Sequence, residues 1–348
     1  MALEPIIPKM LQKGDTIAFI SPSARLNLLL PAPFERAKTF VEGLGYHVKA
    51  IFNSGEPTNF QESVLQRCEE VHEAFRDTSI KAIICNVGGS HANELLPHLD
   101  YQLIKSHPKI FCGYSDITLL HYAIFSQTGL QTFYGPTTFT DFADVPEPFQ
   151  FTVDHFVHVL QGSAGKAIGH VPRSLEYAQD LPDFFFGNQS SQKARGLSPS
   201  PGWRWLREGN ATGRLLGGCL PSLLRLIGTR FWPDHRGCIL FLETPMGEDM
   251  KDPFSLGRTR ACVADLVNAG VIDEISGLVI GRPYGYDEKM REEFAQLVAD
   301  QCHGTTFPVL LNVDIGHTAP ILTLPMNAMV RIDSSKDDFS ILEPGVLA

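Results

Sequence analysis

The first 160 residues alternate short apolar, β-branched runs with amphipathic helical stretches, and this alternation constrains the fold more than any other feature. A chain of this pattern forms a largely parallel sheet covered by helices, so the sequence predicts an α/β fold. The pattern predicts strands over 16–21, 46–51, 82–87 and 109–112, and helices over 33–44, 61–77 and 117–127.

Residues 162–212 have a different character, with many Ser, Gly, Pro, Gln and aromatic residues and little periodicity. A loop region of this length is usually functional or disordered, and its aromatic content argues against pure disorder. We expect an insert or linker that forms one wall of a substrate pocket, with Phe185, Trp203 and Trp205 as candidate wall residues. Packing of the two tryptophans at a domain junction is the alternative. Residues 213–348 alternate helices and strands again and are predicted to form a second domain.

Composition excludes several classes of partner. Lys plus Arg total 29 against 39 for Asp plus Glu, and no basic run is present, so we expect no nucleic acid polymer as a partner. No apolar stretch reaches the 18 residues of a membrane span, and residues 1–15 lack the apolar segment of a signal peptide. The sequence therefore predicts a soluble, cytoplasmic protein with no membrane association.

The seven cysteines are widely spaced, and no Cys-x-x-Cys pair is present. This usage predicts reduced and mostly buried thiols, with no zinc site. No metal or cofactor is expected.

Residues 109–122 read KIFCGYSDITLLHY, in which a buried strand runs through Gly-Tyr-Ser-Asp directly into a helix. Ser115 would then occupy a tight strand-to-helix turn, as the nucleophile of an α/β hydrolase does. The backbone N–H of Asp116 would point from the helix N-terminus toward negative charge on a substrate carbonyl. The alternative is that Ser115 or Asp116 only caps the helix.

A serine nucleophile needs a base and a group that orients the base. His317 is the favoured base because it lies in VDIGHTAP, a turn between two apolar strands. His91 is its nearest rival, and His121 is interpreted as a residue of the helix after the serine. Glu243 is the candidate acid because it ends the apolar strand CILFLE. A satisfied loop histidine and a surface acid are the alternative interpretations.

Gly88 and Gly89 follow the predicted strand AIICNV. Two glycines allow the backbone to approach a ligand closely, so Gly89 is a candidate for a second oxyanion N–H. A plain turn is the alternative, and the segment has no phosphate-loop pattern.

Several blocks in order resemble the LD-carboxypeptidase family of serine peptidases, which includes the microcin C immunity proteins. They include GDTIAFISPSA, VGGSHANELLPHLD, KIFCGYSDITLLHY, GWRWLREGNATGRLLGG, the strand ending FLE, and NVDIGHTAP. The resemblance implies a triad of Ser115, Glu243 and His317. It also implies an oxyanion hole formed by the backbone amides of Gly89 and Asp116.

The resemblance further implies a Rossmann-like N-terminal domain, residues 1–161, that carries Ser115. A smaller, β-rich C-terminal domain, residues 213–348, would carry Glu243 and His317, with the active site between the domains. The implied reaction is hydrolysis of an amide through an acyl-enzyme without a cofactor, on a small molecule or short peptide, by a homodimer. The aromatic insert is more similar to the microcin-immunity branch than to the peptidoglycan-recycling branch.

The sequence also departs from the family pattern. Cys219 stands in GGCL where the family usually has Asn, and Thr244 replaces a second acid after FLE. Two other functions are considered: an α/β-hydrolase-like esterase and a catalytically silent small-molecule binding protein. Ile117 argues against the esterase, because glycine stands at that place in the usual elbow.

Overall fold

The computed structural model describes residues 4–162 and 165–348. Residues 1–3 and 163–164, which belong to the predicted segments 1–161 and 162–212, lie outside the described residues. The strands are β1 (Thr16–Ile20), β2 (His47–Ile51), β3 (Ile80–Cys85), β4 (Ile110–Gly113), β5 (Phe133–Tyr134), β6 (Gly169–His170), β7 (Glu176–Ala178), β8 (Leu197–Pro199), β9 (Arg204–Arg207), β10 (Asn210–Cys219), β11 (Ile239–Glu243), β12 (Gly277–Gly281), β13 (Val309–Val313), β14 (Leu324–Pro325), β15 (Met329–Asp333) and β16 (Asp338–Ile341).

The α-helices of the same residues connect and cover these strands. They are α1 (Pro31–Gly43), α2 (Phe60–Arg76), α3 (Tyr101–Ser106), α4 (Thr118–Thr128), α5 (Gln150–Val157), α6 (Leu220–Leu224), α7 (Leu256–Asn268), α8 (Val271–Glu274) and α9 (Glu288–Gln301). The four strands predicted in the first 160 residues are β1 to β4, and no predicted end is more than two residues from the observed one.

The first sheet has the strand order β14–β5–β4–β3–β1–β2. All of its pairs are parallel except the pair of β14 with β5. The strands β3 and β4 are almost continuously apolar and buried, as expected where helices cover both faces of a parallel sheet. Because parallel strands end at the same edge, the turns after β1, β3 and β4 lie side by side there. This arrangement confirms the predicted Rossmann-like N-terminal domain.

The second sheet has the order β6–β16–β15–β10–β11–β12–β13–β9. Its central strands β10 to β13 are parallel, and its outer pairs are antiparallel. Residues 162–212, expected as an insert or linker, contribute β6 and β9 to this sheet and form the separate hairpin of β7 and β8. Strand β14, which belongs to the predicted C-terminal domain, pairs with β5 of the first sheet. Each sheet therefore includes short strands from outside its predicted domain.

Glycines in β10 bring the second sheet close to the first. A Cβ at Gly217, where φ is 148°, would lie 1.8 Å from the carbonyl oxygen of Phe241 on β11. A Cβ at Gly218 would lie 2.5 Å from the side chain of Thr118, the first residue of α4. The same strand thus packs tightly on its own sheet and on the helix that follows Ser115. This close approach places β11 and its terminal Glu243 beside the first sheet.

All seven cysteines are free thiols, and six of them are buried. Among residues 4–162 and 165–348, no helix has the length and apolar character needed to span a bilayer.

Candidate active site

Ser115 occupies a sharp turn between β4 and α4. Its φ is 64°, in the left-handed region, and residues Ser115–Ile117 form a single 3₁₀ turn before the helix begins. Residues other than glycine rarely adopt this conformation because it is strained, and such strain is common at functional sites. A Cβ at Gly88 would lie 2.7 Å from the Cβ of Ser115, so only glycine fits beside the serine. The turn therefore has the strand-to-helix geometry predicted from KIFCGYSDITLLHY.

A chain of hydrogen bonds joins Ser115, His317 and Glu243. Ser115 Oγ lies 2.9 Å from His317 Nε2, and His317 Nδ1 lies 2.7 Å from Glu243 Oε2. Glu243 is completely buried at the end of β11, and His317 is 6 % exposed in the loop between β13 and β14. With Nδ1–H donating to the carboxylate, Nε2 is left to accept the hydroxyl proton.

The two other histidines considered for the base do not contact Ser115. His121 lies in the core of the first domain, where its ring bonds Thr132 Oγ1 and the carbonyl of Gly113. Burial lowers the pKa of His121 to about 4, so it remains neutral. His91 is exposed and pairs with Glu94. The structure thus brings only His317, of these three, to the serine.

Tyr134, at the end of β5, joins the acid to the serine turn. Its hydroxyl donates to Glu243 Oε1 at 2.6 Å and accepts from the Ser115 backbone N–H at 3.2 Å. Burial, with a further contribution from the charge of Glu243, raises the pKa of Tyr134, so the hydroxyl stays protonated. Sequence analysis missed this contact because Tyr134 is distant in sequence from both of its partners.

Glu243 and the loop that carries His317 are held by close contacts. A Cβ at Gly316, where φ is 103°, would lie 2.7 Å from Glu243 Oε2. The buried guanidinium of Arg282 donates to Asp314 Oδ1 at 2.6 Å and to the Pro320 carbonyl at 2.8 Å. Arg282 therefore ties the two ends of the His317 loop together.

The Asp116 side chain connects the serine turn to the glycine turn. Its carboxylate is fully buried, and one oxygen accepts from Ser23 Oγ at 2.6 Å and from the Ala92 N–H at 2.8 Å. The other oxygen accepts from Arg225, which also donates to the Ser90 carbonyl at 3.0 Å. Sequence analysis considered the Asp116 amide and its capping role, and it missed this network because the partners are distant in sequence.

The glycine turn that carries Gly89 lies against Ser115 and the backbone nitrogen of Asp116. A Cβ at Gly88, the neighbour of Gly89, would lie 3.2 Å from the Asp116 nitrogen. Within the described residues, neither amide donates a hydrogen bond to the protein. Neither amide is therefore bonded to a protein acceptor, and their role as oxyanion donors stays a prediction.

Ser115 and His317 open into a cavity of about 950 Å³. Gly89 and Phe185 also line it, so the structure places part of the aromatic insert at the site. Cys219 lies in its wall as well, and burial raises the pKa of the Cys219 thiol.

Trp203 and Trp205 are not among the residues that line this cavity, in contrast to the expectation for them. The guanidinium of Arg173 lies 3.7 Å from the centre of the Trp203 ring, and Trp205 Nε1 donates to Asp337 Oδ1 at 2.8 Å. The reason is that β9, which carries Trp205, pairs with β13 at the outer edge of the second sheet. In the part of the chain that the structure describes, no group of three or more His, Cys, Asp or Glu side chains could hold a metal ion.

A serine on a strained turn, bonded through a histidine to a buried carboxylate, is the arrangement by which serine hydrolases are recognised. Comparison with known proteins agrees with this class. Residues 17–135 match the model of the LD-carboxypeptidase N-terminal domain, and residues 212–332 match that of the C-terminal domain. The chain belongs to the LD-carboxypeptidase family of serine peptidases and is an enzyme of that family.

Similarity to individual members extends over nearly the whole chain. The chain is 33 % identical to the putative carboxypeptidase YocD of Bacillus subtilis, with 93 % of this chain and 95 % of the relative covered. It is 29 % identical to the microcin C7 self-immunity protein MccF of Escherichia coli, with 97 % and 96 % covered. The crystal structure of an MccF-like protein from Bacillus anthracis str. Ames matches with a TM-score of 0.85 and 32 % identity, covering 97 % and 99 %. The predicted family and two-domain fold are thereby confirmed.

Proposed function

We propose that this protein hydrolyses an amide bond with Ser115 as nucleophile, His317 as general base and Glu243 as the group that orients the histidine. The observation that carries the proposal is the unbroken hydrogen-bond chain of 2.9 Å and 2.7 Å through these three side chains. A histidine in this position holds the tautomer that can take the hydroxyl proton.

In the first half of the reaction, His317 Nε2 takes the proton from Ser115 Oγ as this oxygen attacks the amide carbonyl carbon. The carbonyl oxygen becomes an oxyanion, and the free N–H groups of Gly89 and Asp116 stabilise it. His317 then gives its proton to the leaving nitrogen, the C–N bond breaks, and an ester with Ser115 remains. The buried Glu243 carboxylate stabilises the imidazolium that forms between these steps.

In the second half, His317 removes a proton from a water molecule that attacks the ester carbonyl. Collapse of this second oxyanion releases the carboxylic acid, and the proton returns to Ser115 Oγ. The cycle needs no redox partner, because bond formation and proton transfer balance within it.

Two substrate classes are candidates for this amide hydrolase. One relative with 30 % identity over 97 % of this chain is named a probable murein peptide carboxypeptidase of Bacillus subtilis, which favours a peptide with a C-terminal D-residue. The structure of MccF in complex with glutamyl sulfamoyl guanosine matches this chain with a TM-score of 0.84 and 27 % identity over 98 % of it. This similarity favours an aminoacyl or peptidyl nucleotide amide.

The first experiment labels Ser115 with a fluorophosphonate and measures the mass of the intact protein. We expect one adduct on the wild type and on Ser126→Ala, a matched serine change on α4 away from the site, and none on Ser115→Ala. Absence of labelling on the wild type would contradict the proposed nucleophile and would favour a binding protein.

The second experiment identifies the products formed from an equimolar mixture of an L,D-tetrapeptide and an aminoacyl-sulfamoyl adenosine. Loss of the terminal D-residue would support the carboxypeptidase activity, and release of free amino acid with sulfamoyl adenosine would support the immunity-type activity. Either product should disappear in Ser115→Ala. If neither amide is cleaved, a separate assay with a simple ester follows, and cleavage of that ester would favour the esterase alternative.

A further inference from the structure

A buried negative charge lies beside the proposed oxyanion hole. The Asp116 carboxylate is fully buried, and covalent geometry keeps it within about 5 Å of the Asp116 backbone nitrogen. It accepts from Ser23 Oγ at 2.6 Å, and a Cβ at Gly89 would lie 2.6 Å from that same Oγ. The carboxylate is therefore close to both of the amides that are proposed to stabilise the oxyanion.

An unbalanced charge at this place would oppose catalysis. The oxyanion that forms on the substrate is negative, so a carboxylate a few ångströms away repels it. At the effective dielectric constant of a protein interior, a charge at this distance changes a rate by about 10²-fold. The hydrogen bonds that Asp116 accepts from Ser23 and Ala92 come from neutral groups and leave its net charge in place. The site therefore needs a cation at Asp116.

The second domain supplies this cation. Arg225 directly follows α6, and its guanidinium donates to Asp116 Oδ1 and to the Ser90 carbonyl, the latter at 3.0 Å. Among residues 4–162 and 165–348, Arg225 is the one cation that forms an ion pair with Asp116. Its side chain is 35 % exposed and lines the Ser115 cavity. The guanidinium therefore meets the buried carboxylate at the cavity wall.

Other cations at the cavity have different partners. Arg258 pairs with Glu248 at 3.1 Å, and both of these side chains are more than half exposed. Lys251 lies over the Phe186 ring, with Nζ 5.1 Å from the ring centre. Neither cation replaces Arg225 as the partner of Asp116.

We propose that Arg225 is a positioning residue that acts through Asp116: it balances the charge of this carboxylate, so that the carboxylate does not oppose the oxyanion formed at Ser115. This inference rests on the proposed function, since it concerns the oxyanion of the same reaction. The second domain thus completes the serine half of the site with a charge, in addition to supplying Glu243 and His317.

The test measures by intact mass how fast an uncharged alkyl fluorophosphonate labels Ser115. In this reaction Ser115 Oγ bonds to phosphorus, His317 takes the hydroxyl proton and fluoride leaves, while negative charge develops on the phosphoryl oxygen. Because the probe has no charge, direct attraction to Arg225 does not contribute to its rate.

Three substitutions of Arg225 separate its charge from its hydrogen bonds. Lysine keeps the charge without the guanidinium geometry, glutamine keeps a donor without the charge, and methionine removes both. We expect Arg225→Met and Arg225→Gln to be labelled about 10²-fold more slowly than the wild type, and Arg225→Lys less than about tenfold more slowly. Thermal unfolding identifies the variants that are folded at the assay temperature, and the lysine and glutamine variants decide the question if Arg225→Met does not fold.

A double variant distinguishes charge balance from a purely structural link. Asp116→Asn combined with Arg225→Met removes both charges, and the asparagine keeps an oxygen that accepts hydrogen bonds. We expect this double variant to be labelled at least about fivefold faster than Arg225→Met alone. Arg25→Met is the matched control, because Arg25 pairs with the buried Glu70 and does not line the cavity. The control should keep the wild-type rate.

The outcomes separate the two proposals. Equal slowing in Arg225→Lys and Arg225→Gln, or a double variant no faster than Arg225→Met, would overturn the charge-balancing role and leave the proposed function intact. An equal fall in Arg25→Met would also overturn it, since the effect would then be unspecific. A wild type that is not labelled would contradict the proposed function, and the inference would fail with it.

Discussion

The two halves of the candidate active site are built in different ways. Ser115 owes its geometry to a few consecutive residues, in which a strand, a strained turn and a helix follow one another directly. Glu243 and His317 are 74 residues apart and lie on elements that meet only when the second sheet forms. The serine half is therefore a local backbone feature, and the acid–base half is a product of tertiary packing. Substitutions in the two halves should affect stability differently even where they abolish the same activity.

We expect the strongest effects from Ser115→Ala and Glu243→Ala, which remove one side chain from each half of the site. Both should lower kcat by about 10⁴-fold, because each removes one member of a unit. Glu243→Ala should also lower the free energy of unfolding by about 3 kcal/mol, since buried donors of Tyr134 and His317 lose their acceptor. Ser115→Ala should change it by less than about 1 kcal/mol. Urea unfolding measures the free energy of unfolding, and steady-state kinetics measure kcat. Equal destabilisation by the two substitutions would contradict the expected difference between the two halves of the site.

The next effect concerns Asp116→Asn, which weakens the link between the serine turn and the glycine turn. We expect kcat to fall by about 10²-fold, because the amides of Gly89 and Asp116 lose their relative position, with a smaller change in KM. Glu70→Gln is the matched control, since Glu70 is a buried acid paired with Arg25 at the same sheet edge. The control should lose stability and keep its kcat. Equal loss of kcat in both variants would assign Asp116 a purely structural role.

A smaller effect is expected for Tyr134→Phe, which removes one hydroxyl that bonds both halves. The ring remains, so packing is preserved, but Glu243 Oε1 and the Ser115 N–H lose a partner. We expect kcat to fall about tenfold at unchanged KM, with a stability loss of about 1 kcal/mol. Tyr101→Phe removes a comparable hydroxyl that donates to the Leu96 carbonyl and should reduce stability only. An unchanged kcat in Tyr134→Phe would show that catalysis does not depend on the hydroxyl that links Glu243 to the Ser115 turn.

The smallest effect is a pH dependence of stability on the serine side. Asp141 accepts from Thr140, which in turn accepts from the hydroxyl of Tyr114, and burial raises the pKa of Asp141 to about 6. A carboxyl with a raised pKa in the folded state destabilises the fold when ionised, above about pH 6, and this penalty disappears toward pH 4. Asp141→Asn should therefore gain stability relative to the wild type above pH 6.5 and lose that gain by pH 4. Thermal unfolding from pH 4 to 8 measures this difference, and a constant difference would contradict the buried, ionised carboxylate.

Much of the first sheet could be predicted because its signals are local. The strands β1 to β4 and the helices between them follow from runs of apolar residues whose period is visible without any partner. The turn at Ser115 was predictable for the same reason. The hydrogen-bond contact of Ser115, His317 and Glu243 agrees with the expected grouping, and their catalytic roles stay a prediction.

The positions of Trp203 and Trp205 could not be predicted from local sequence. Trp203 and Trp205 lie in a segment whose composition indicated a pocket wall, and Phe185 of the same segment does line the cavity. The difference arises because β9 adds to the edge of the second sheet and carries Trp205 away from the site. Nothing in the segment itself distinguishes a strand that joins a distant sheet edge from a loop over a pocket.

The α/β alternation, the strand-to-helix turn at Ser115 and the separate motifs that identify the family were predictable, because each is encoded in a few neighbouring residues. Three features depend on the folded chain instead: Tyr134 bonds Glu243, Asp116 connects the glycine turn to the serine turn, and β6 and β9 of the insert join the second sheet. These contacts join residues far apart in the chain. Their formation depends on strand order and on the close packing that glycines such as Gly217 permit, and neither has a local signature.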